Sequence, residues 1–470
     1  MRGLTPGQLA VMAVLILPAG SLAWLRPDVF GHGIVVAGAW GFLAVAVWRT
    51  GLILFSAVRA SPAPEPPVWP RYTVLAALHD EAEVVPQLIG RLSRIDYPAD
   101  RLQGLLVLEA HDHETIAAAL ATPRPDWLDV LVIPPGKPQT KPRALNCALA
   151  RATGDLLTVY DAEDEPDPLQ LREAASRFAA DTTGRLACLQ APLRIRRRGP
   201  ADGSPFLDRQ FAAEYASLFE TTLPGIARLG LPFPLGGTSN HFRTDVLSAV
   251  EGWDAWNVTE DADLGFRLWS RGWGLGVISR PTWETPPGGL DNWLPQRTRW
   301  LKGYMQTWGV HTRQPWRLGW RGGAALVLTV GAGLVSAALH GLSLAWVAAT
   351  VLVSLMAGLP PETPALAVSV LVLGAASAWL SCAIGARRAG VPYGPRDMIA
   401  APAYWALLSL AFAHAAWRLV RDPFAWDKTR HRRDAPASAE EAAGETQDAL
   451  DGTASLRLSA LHAPAPEPVA

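Results

Sequence analysis

Long hydrophobic runs occupy both ends of the chain and enclose a central region of short ones. At the N-terminal end, residues 7–25 and 33–55 are strongly apolar and flank the polar Arg26-Pro27-Asp28. Each run approaches the ~20 apolar residues that a helix needs to cross a bilayer. The first could be an uncleaved signal peptide, but a second run follows at once, which favours two transmembrane helices.

At the C-terminal end, the apolar stretch 324–358 is too long for one span. His340-Gly341 near its middle predicts a tight turn between two spans. Residues 365–384 and 398–420 are two further candidates. The pattern therefore predicts about four transmembrane or interfacial helices in this block.

Basic residues indicate the side on which each loop lies. Arg49 and Arg59 lie at the far end of the second apolar run, which predicts that the chain leaves the membrane on the cytoplasmic side. Four C-terminal spans would return the chain to the cytoplasm at the basic stretch 428–433. That arrangement conflicts with the positive-inside tendency, because it places three arginines outside. They are Arg387, Arg388 and Arg396.

The central region alternates short β-rich runs with helical stretches. The predicted strands are Thr73–Leu78, Leu105–Leu108, Leu128–Ile133, Leu156–Tyr160 and Leu186–Leu189, with helices near 81–95, 141–152 and 168–180. This alternation predicts an α/β domain with a mostly parallel, Rossmann-like sheet. Ligands of such sheets bind beyond the carboxyl ends of the strands. The predicted segments are two transmembrane helices (1–60), a Pro-rich linker (61–70), the α/β domain (71–312), an interfacial segment (313–322), about four transmembrane or interfacial helices (323–420), a cytoplasmic segment (421–433) and a disordered tail (434–470).

Composition excludes several classes of protein. The 470 residues carry a formal net charge of −1, which argues against a nucleic-acid partner. The three cysteines lie far apart, with the spacing of neither a zinc site nor a disulfide framework. Charged residues are scarce within the apolar runs, which argues against a transporter.

An acidic cluster follows the strand predicted at residues 156–160. Asp161 and Glu163, with Asp164 beside them, could share a hard cation through carboxylate oxygens. Mg²⁺ and Mn²⁺ also take phosphate oxygens, so such a site could hold a nucleotide diphosphate. The alternative is a solvated acidic turn.

A second acidic cluster, Thr259-Glu260-Asp261, precedes a helical stretch. Glu260 and Asp261 are candidate catalytic carboxylates, and Asp261 could take the proton from an acceptor hydroxyl. Alternatively, Thr259 or Asp261 could simply cap the helix.

A third cluster lies in a helix predicted over 291–308. Gln296 and Arg299 are three residues apart and share a helix face. Arg299 could bind phosphate, and Trp300 offers a flat surface to a sugar ring. The alternative is an interfacial helix with Trp and Arg at the headgroup level.

Other polar positions could bind the substrate. Carboxylates that follow the first two strands could accept hydrogen bonds from a base and a ribose, and Lys141 with Arg143 could bind phosphate at a helix start. Small residues at Gly236-Gly237-Thr238 would let the backbone approach a ligand closely. The carboxylates are Glu81, Glu109 and Asp112.

Taken together, these motifs resemble glycosyltransferase family 2, which has a GT-A fold, over residues about 71–430. The likeness extends to the XagB-type bacterial membrane glycosyltransferases. The segments that carry it are 140–146, 160–166, 234–243, 257–265, 296–306 and 423–429. The resemblance implies an inverting transfer from a nucleotide-sugar, expected to be UDP-linked, by an enzyme of the bacterial inner membrane with its catalytic domain in the cytoplasm.

The resemblance also implies residue roles. Asp161 and Glu163 would hold Mg²⁺ or Mn²⁺, although many relatives have Asp where this chain has Glu163, so Asp164 stays open as the second ligand. Asp261 would be the base. Gln296, Arg299 and Trp300 would lie near the acceptor, as in cellulose- and hyaluronan-synthase-like members. Glu81 and Glu109 would lie by the nucleotide, and residues 424–429 would form a gating segment.

The acceptor stays open between a growing exopolysaccharide, with export-complex subunits as possible partners, and a polyprenyl-phosphate or glycolipid. The Gln296-Arg299-Trp300 motif favours the polymer. A non-catalytic membrane receptor or subunit is a third possibility, against which the complete set of carboxylates argues.

Overall fold

A computed structural model describes residues 4–57, 62–197, 204–358, 360 and 365–424. The helices are α1 Pro6–Leu25, α2 Pro27–Ser56, α3 Val85–Leu92, α4 His113–Ala121, α5 Lys141–Leu149, α6 Gln170–Ala179, α7 Pro205–Ser217, α8 Leu223–Arg228, α9 Thr244–Ala249, α10 Glu260–Ser270, α11 Leu290–His311, α12 Gly319–Leu326, α13 Ala332–Ala357, α14 Ala365–Ala389 and α15 Pro395–Arg421. The strands are β1 Tyr72–Leu78, β2 Leu102–Glu109, β3 Leu128–Ile133, β4 Leu156–Tyr160, β5 Glu165–Pro166, β6 Leu186–Gln190, β7 Leu193–Ile195, β8 Asn240–Arg243, β9 Gly274–Val277 and β10 Thr282–Glu284.

A seven-stranded sheet forms the centre of the α/β domain, in the order β3-β2-β1-β4-β8-β6-β9. All neighbouring strands are parallel except β8, which is antiparallel to β4 and β6. The predicted mostly parallel Rossmann-like fold is therefore confirmed. A second sheet, β5-β10-β7, places the end of β10 beside the acidic cluster that follows β4.

The sheet is buried on both faces. Leu75 and Val159 pack on one face, and Val74 and Tyr160 on the other, each in a separate hydrophobic core. Continuous apolar strands such as β1 and β4 are typical of parallel sheets that helices cover on both sides.

Helices α7, α8 and α11 connect this domain to the long apolar helices. Two glycines allow the closest approaches: a Cβ at Gly225 of α8 would overlap the Leu52 backbone of α2, and one at Gly385 of α14 would overlap Ala216 of α7. The sheet domain and the apolar helices therefore share a tightly packed interface.

Five helical segments are long and apolar enough to cross a membrane, two before the α/β domain and three after it among the described residues. These helices are those of a membrane protein. The turn predicted at His340-Gly341 was wrong, because α13 runs unbroken through both residues. Gly341 instead packs against Ser409, whose hydroxyl accepts the Gly341 N–H at 2.8 Å. Of the segment that resembles a gate, residues 425–429 lie outside the described residues.

The ends of α14 and α15 show on which side of the helix bundle the C-terminal arginines lie, which the positive-inside tendency had left in conflict. Arg388, in the last turn of α14, donates to the Glu220 carbonyl at 2.6 Å, so it lies on the same side as the sheet domain. Helix α15 begins with Asp397 paired to Arg209, and the carbonyl of Pro423, just beyond it, accepts from Gln306. Both ends of α15 therefore contact the α/β domain.

Candidate active site

A single cavity of about 830 Å³ begins at the carboxyl ends of β1 and β4 and extends between the apolar helices. It is lined by nearly all of the residues that the sequence singled out, from motifs up to 219 positions apart (Glu81 to Trp300). They are Glu81, Glu109, Lys141, Asp161, Glu163, Gly236, Gly237, Thr238, Glu260, Asp261, Gln296, Arg299 and Trp300.

The acidic cluster after β4 divides into carboxylates that face the cavity and one that does not. Asp161 and Glu163 line the cavity, whereas Asp164 is fully buried behind them. One Asp164 oxygen accepts the Asp161 N–H at 2.7 Å and the Thr238 hydroxyl. Asp164 thus braces the turn that presents its two neighbours. Burial and the charges of those neighbours raise its pKa well above the usual range.

Lys141, at the start of α5, connects the two acidic motifs. Its ammonium pairs with Asp161 and donates to the Gly237 carbonyl at 2.7 Å. Burial acts to lower the pKa of Lys141, but the Asp161 and Glu260 carboxylates outweigh it and the pKa is raised. A Cβ on Gly237 would lie only 3.4 Å from Asp261 Oδ2. The Asp161 and Asp261 carboxylates therefore flank the same lysine and the same glycine.

Helix α10 begins one turn earlier than the sequence predicted and places Glu260 and Asp261 in its first turn. Thr259 occupies the N-cap position without a side-chain capping hydrogen bond. Burial raises the pKa of Asp261 to about 6, and burial together with the Asp261 charge raises the pKa of Glu260 to about 8. Burial therefore disfavours ionisation of both neighbouring carboxylates at once.

Helix α11 brings the third motif to the cavity. Gln296 Oε1 is buried without a hydrogen-bond partner among the described residues, which leaves an acceptor available to a ligand. Arg299 lies near enough to lower the pKa of Asp261. Trp300 packs against Phe211 and Tyr215 at ring-centroid distances of 6.2 and 6.0 Å. These contacts fix the indole where it lines the cavity.

The carboxylates near the first two strands have different environments. Glu109 is paired with Arg143 at 3.0 Å, and Arg143 does not line the cavity. Asp112 does not line it either: the carboxylate caps α4 by accepting the Thr115 N–H, and it also accepts the Asp80 N–H. This local role leaves little capacity for the substrate contact predicted for Asp112. Glu81 is buried at the cavity wall.

Two lining groups were missed by sequence reasoning. Glu284, at the end of β10, joins Asp161 and Glu163, and burial together with the acidic cluster raises its pKa well above the usual range. Glu214 of α7 accepts two hydrogen bonds from Arg297, at 2.8 and 2.6 Å. A lone acid in a three-residue strand or an interfacial helix carries no spacing signal, so nothing in the sequence marked either one.

The site is rich in carboxylate oxygen and poor in positive charge. Asp161, Glu163 and Glu284 face the cavity with Lys141 beside them. Oxygen donors of this kind suit Mg²⁺ or Mn²⁺. Ligand atoms of His79, Asp80 and Asp112 also lie within 4.8 Å of one another. Because Asp112 is already engaged by backbone N–H groups, the acidic cluster after β4 is the better fit to a divalent ion.

Comparison with known proteins agrees with this geometry. Residues 73–204 match the family described as glycosyl transferase family 2, and residues 156–380 match glycosyl transferase family group 2. The beta-monoglucosyldiacylglycerol synthase of Synechocystis sp. is 27% identical over 309 residues, which cover 61% of this chain and 60% of that protein. The cellulose synthase 1 catalytic subunit of Komagataeibacter xylinus is 24% identical over 253 residues, 52% of this chain and 32% of that one.

The chain thus spans less than two thirds of the length of these curated relatives. Among solved structures, a mannosyltransferase of Pyrobaculum calidifontis in complex with GDP-Man and Mn²⁺ aligns with a TM-score of 0.52 at 15% identity, over 83% of this chain and 99% of that one. That likeness concerns the fold. The chain therefore contains glycosyltransferase family 2 domains in a GT-A fold.

Proposed function

We propose that this protein is an inverting glycosyltransferase that moves a sugar from a nucleotide-sugar, UDP-linked by preference, to an acceptor at the bacterial inner membrane. The observation that supports it most directly is the single cavity that joins Asp161, Asp261 and the Gln296–Trp300 motif to the apolar helices. The alternative of a non-catalytic receptor fits less well, since the carboxylates of both acidic motifs line the same cavity.

In this proposal, Asp161 and Glu163 would hold Mg²⁺ or Mn²⁺, which would neutralise charge on the departing diphosphate. Asp164 is the brace behind them rather than a ligand. A mannosyltransferase with a similar fold was solved with Mn²⁺, which is in line with this proposal. Lys141, which lies between the two acidic motifs, would bind the diphosphate oxygens.

Asp261 acts as the base. It removes the proton from an acceptor hydroxyl as the oxygen attacks the anomeric carbon and the bond to the nucleotide diphosphate breaks. Glu260, whose pKa is raised by burial and by the Asp261 charge, lies directly beside the base. Arg299 stabilises the charge that develops on the leaving oxygen, a preorganised electrostatic contribution that is often the largest in catalysis.

A growing exopolysaccharide is the acceptor that we propose first, in line with the Gln296, Arg299 and Trp300 motif and with a XagB-type enzyme that works beside export subunits. Aromatic residues continue along the cavity beyond Trp300, and such surfaces can stack on sugar rings; they are Tyr215, Tyr304, Tyr404 and Trp405.

A single transfer to a lipid is the second candidate. Two observations favour it: the cavity enters the apolar helices, and one relative is named a beta-monoglucosyldiacylglycerol synthase. The domain boundaries predicted from sequence, with a cytoplasmic catalytic domain over 71–312, belong to the same proposal.

The test uses the full chain in membranes, with labelled UDP- and GDP-sugars and Mn²⁺ or Mg²⁺. Wild type should release the nucleotide diphosphate and form product. Asp261→Asn should lose about 10²–10⁴-fold in rate, while Asp129→Asn, an exposed carboxylate on β3, should not. A ladder of products means a polymer, and one solvent-extractable species means a lipid. Wild-type turnover by Asp261→Asn would refute the role of Asp261.

A further inference from the structure

The end of the cavity farthest from the acidic motifs carries a positive charge. Arg49 of α2 lines this inner end together with Ser336, His340 and Cys382 of α13 and α14. Its guanidinium donates to Ser377 Oγ at 3.4 Å. No ion pair of Arg49 exists among residues 4–57, 62–197, 204–358 and 365–424.

Arg49 lies in the helix bundle, below the level at which α2 and α14 contact the sheet domain. Helices α2 and α14 are parallel, because Ser56 contacts Arg388 where both lie against that domain and Arg49 contacts Ser377 farther in. At ~1.5 Å per residue, Arg49 lies ~10 Å below Ser56 and Ser377 lies ~17 Å below Arg388.

A second polar group, the imidazole of His340, has an unsatisfied hydrogen-bonding atom near Arg49. His340 Nδ1 is buried and has no hydrogen-bond partner within the described part of the chain. The imidazole stacks on Trp405 with ring centroids 5.4 Å apart and interacts electrostatically with Arg49. Glu214 also lines the cavity, but Arg297 and the Tyr404 hydroxyl already occupy its oxygens.

Placing an arginine among apolar helices without an acidic partner is costly, and such residues usually mark a ligand site. The surrounding wall is small and apolar, with Gly333, Ala337, Ala378 and Leu408. A ligand that suits both features has an oxyanion next to hydrocarbon. Arg49 lies only about two helical turns inside the domain-side end of α2, which is near the level of lipid headgroups.

We propose that Arg49 and His340 bind the phosphate of a lipid that anchors the acceptor, with its glycan or polyol directed along the cavity toward Asp261. This proposal rests on the proposed function and specifies its acceptor as lipid-phosphate-linked, whatever the length of the glycan. Arg49 donates to two phosphate oxygens, and His340 donates through Nδ1 in the tautomer that carries its proton there.

The test measures lipid binding without nucleotide. The full chain is placed in nanodiscs of the phosphate-free lipid digalactosyldiacylglycerol, doped with phosphatidic acid or with neutral diacylglycerol, and retained lipid is counted by native mass spectrometry. Wild type should retain phosphatidic acid selectively. Arg49→Gln should bind it roughly 10- to 100-fold more weakly, the range for loss of one hydrogen bond to a charged group.

Arg26→Gln is the matched control, because Arg26 caps the other end of the same helix and is exposed. It should retain phosphatidic acid like wild type. Equal retention by both variants, or no preference of wild type for phosphatidic acid over diacylglycerol, would overturn the proposal. Inorganic phosphate alone should not compete, and equal competition would overturn the lipid assignment.

Binding of a nucleotide-sugar with Mn²⁺ is measured on the same samples. Unchanged donor binding by Arg49→Gln shows that the variant is folded and that the loss concerns the lipid. Failure of wild type to bind any nucleotide-sugar would refute the proposed function while leaving the lipid measurement intact, so the two failures are distinguishable.

Discussion

The two ends of the cavity are built on opposite electrostatic principles. At the sheet, carboxylates outnumber cations, and Lys141 is surrounded by Asp161 and Glu260. At the inner end, Arg49 and His340 lack an acidic partner among the described residues. A site that assembles negative charge favours a metal-chelated donor, whereas one that assembles positive charge favours an anionic acceptor. The same cavity thereby separates its two substrates by charge.

Removing charge from the sheet end should have the largest effect. Asp161→Asn should lower transfer and donor hydrolysis by on the order of 10³-fold or more, because the several kcal/mol that a metal contributes correspond to about tenfold per 1.4 kcal/mol. Lipid retention should not change. Nucleotide release assays and the nanodisc measurement check both statements. If Asp161→Asn also lost lipid binding, the sheet end and the inner end of the cavity would not be independent sites.

A backbone contact between α11 and the turn before Asp261 predicts the next largest effect. A Cβ on Gly303 would overlap the Thr259 side chain. Gly303→Ala should displace this turn and lower kcat by roughly 10²-fold, as small misplacements of catalytic groups do. Gly309→Ala is the control, since a Cβ there meets nothing within 4 Å. Unimpaired kcat in Gly303→Ala would show that α11 does not position the base.

An aromatic residue of the inner end should affect the acceptor alone. Trp405 lines the cavity and stacks on His340. Trp405→Ala should raise the acceptor KM by about 2- to 10-fold, the worth of one aromatic contact. Donor binding should remain as in wild type. Isothermal titration with the nucleotide-sugar measures donor binding, and acceptor saturation curves measure KM. Weaker donor binding by Trp405→Ala would show that the two ends of the cavity are not independent.

Near neutral pH, the smallest effect is that of pH itself. The base must be ionised, and the pKa of Asp261 is about 6, raised by burial. Activity should therefore be full above that value and be lost as the pH falls through it, with kcat/KM about half-maximal near pH 6 and falling tenfold per unit below. An acid limb near pH 4 would indicate a base other than Asp261.

The sequence predicted the sheet well because strands such as β1 and β4 are continuous apolar runs bounded by polar turns. It also predicted where the acidic motifs lie, because the carboxyl ends of parallel strands meet at one edge of the sheet. What it could not settle was the choice between Glu163 and Asp164, which depends on which way each side chain faces in a tight turn.

The structure corrects or extends the sequence interpretation where local pattern and packing disagree. His340-Gly341 has the composition of a turn, yet Gly341 lets α13 approach Ser409 of α15. Arg49 was interpreted only as a marker of orientation, because a basic residue near a span end usually reaches water. Its contact with Ser377 depends on α14, more than 300 residues away. Asp112 was selected for position alone, and its capping bond to Thr115 is local.

Lys141 forms an ion pair with Asp161 and a hydrogen bond to the Gly237 carbonyl, and these contacts affect the order in which metal and nucleotide bind. An ion that came alone would have to compete with an ammonium group already seated on its ligand. A nucleotide that arrives with the ion bound offers its diphosphate to Lys141 at the same time as the ion takes Asp161. Neither the lysine nor the aspartate is then left without an opposite charge. Donor and metal should accordingly enter as one species, and free Mn²⁺ should bind only weakly until the nucleotide is present.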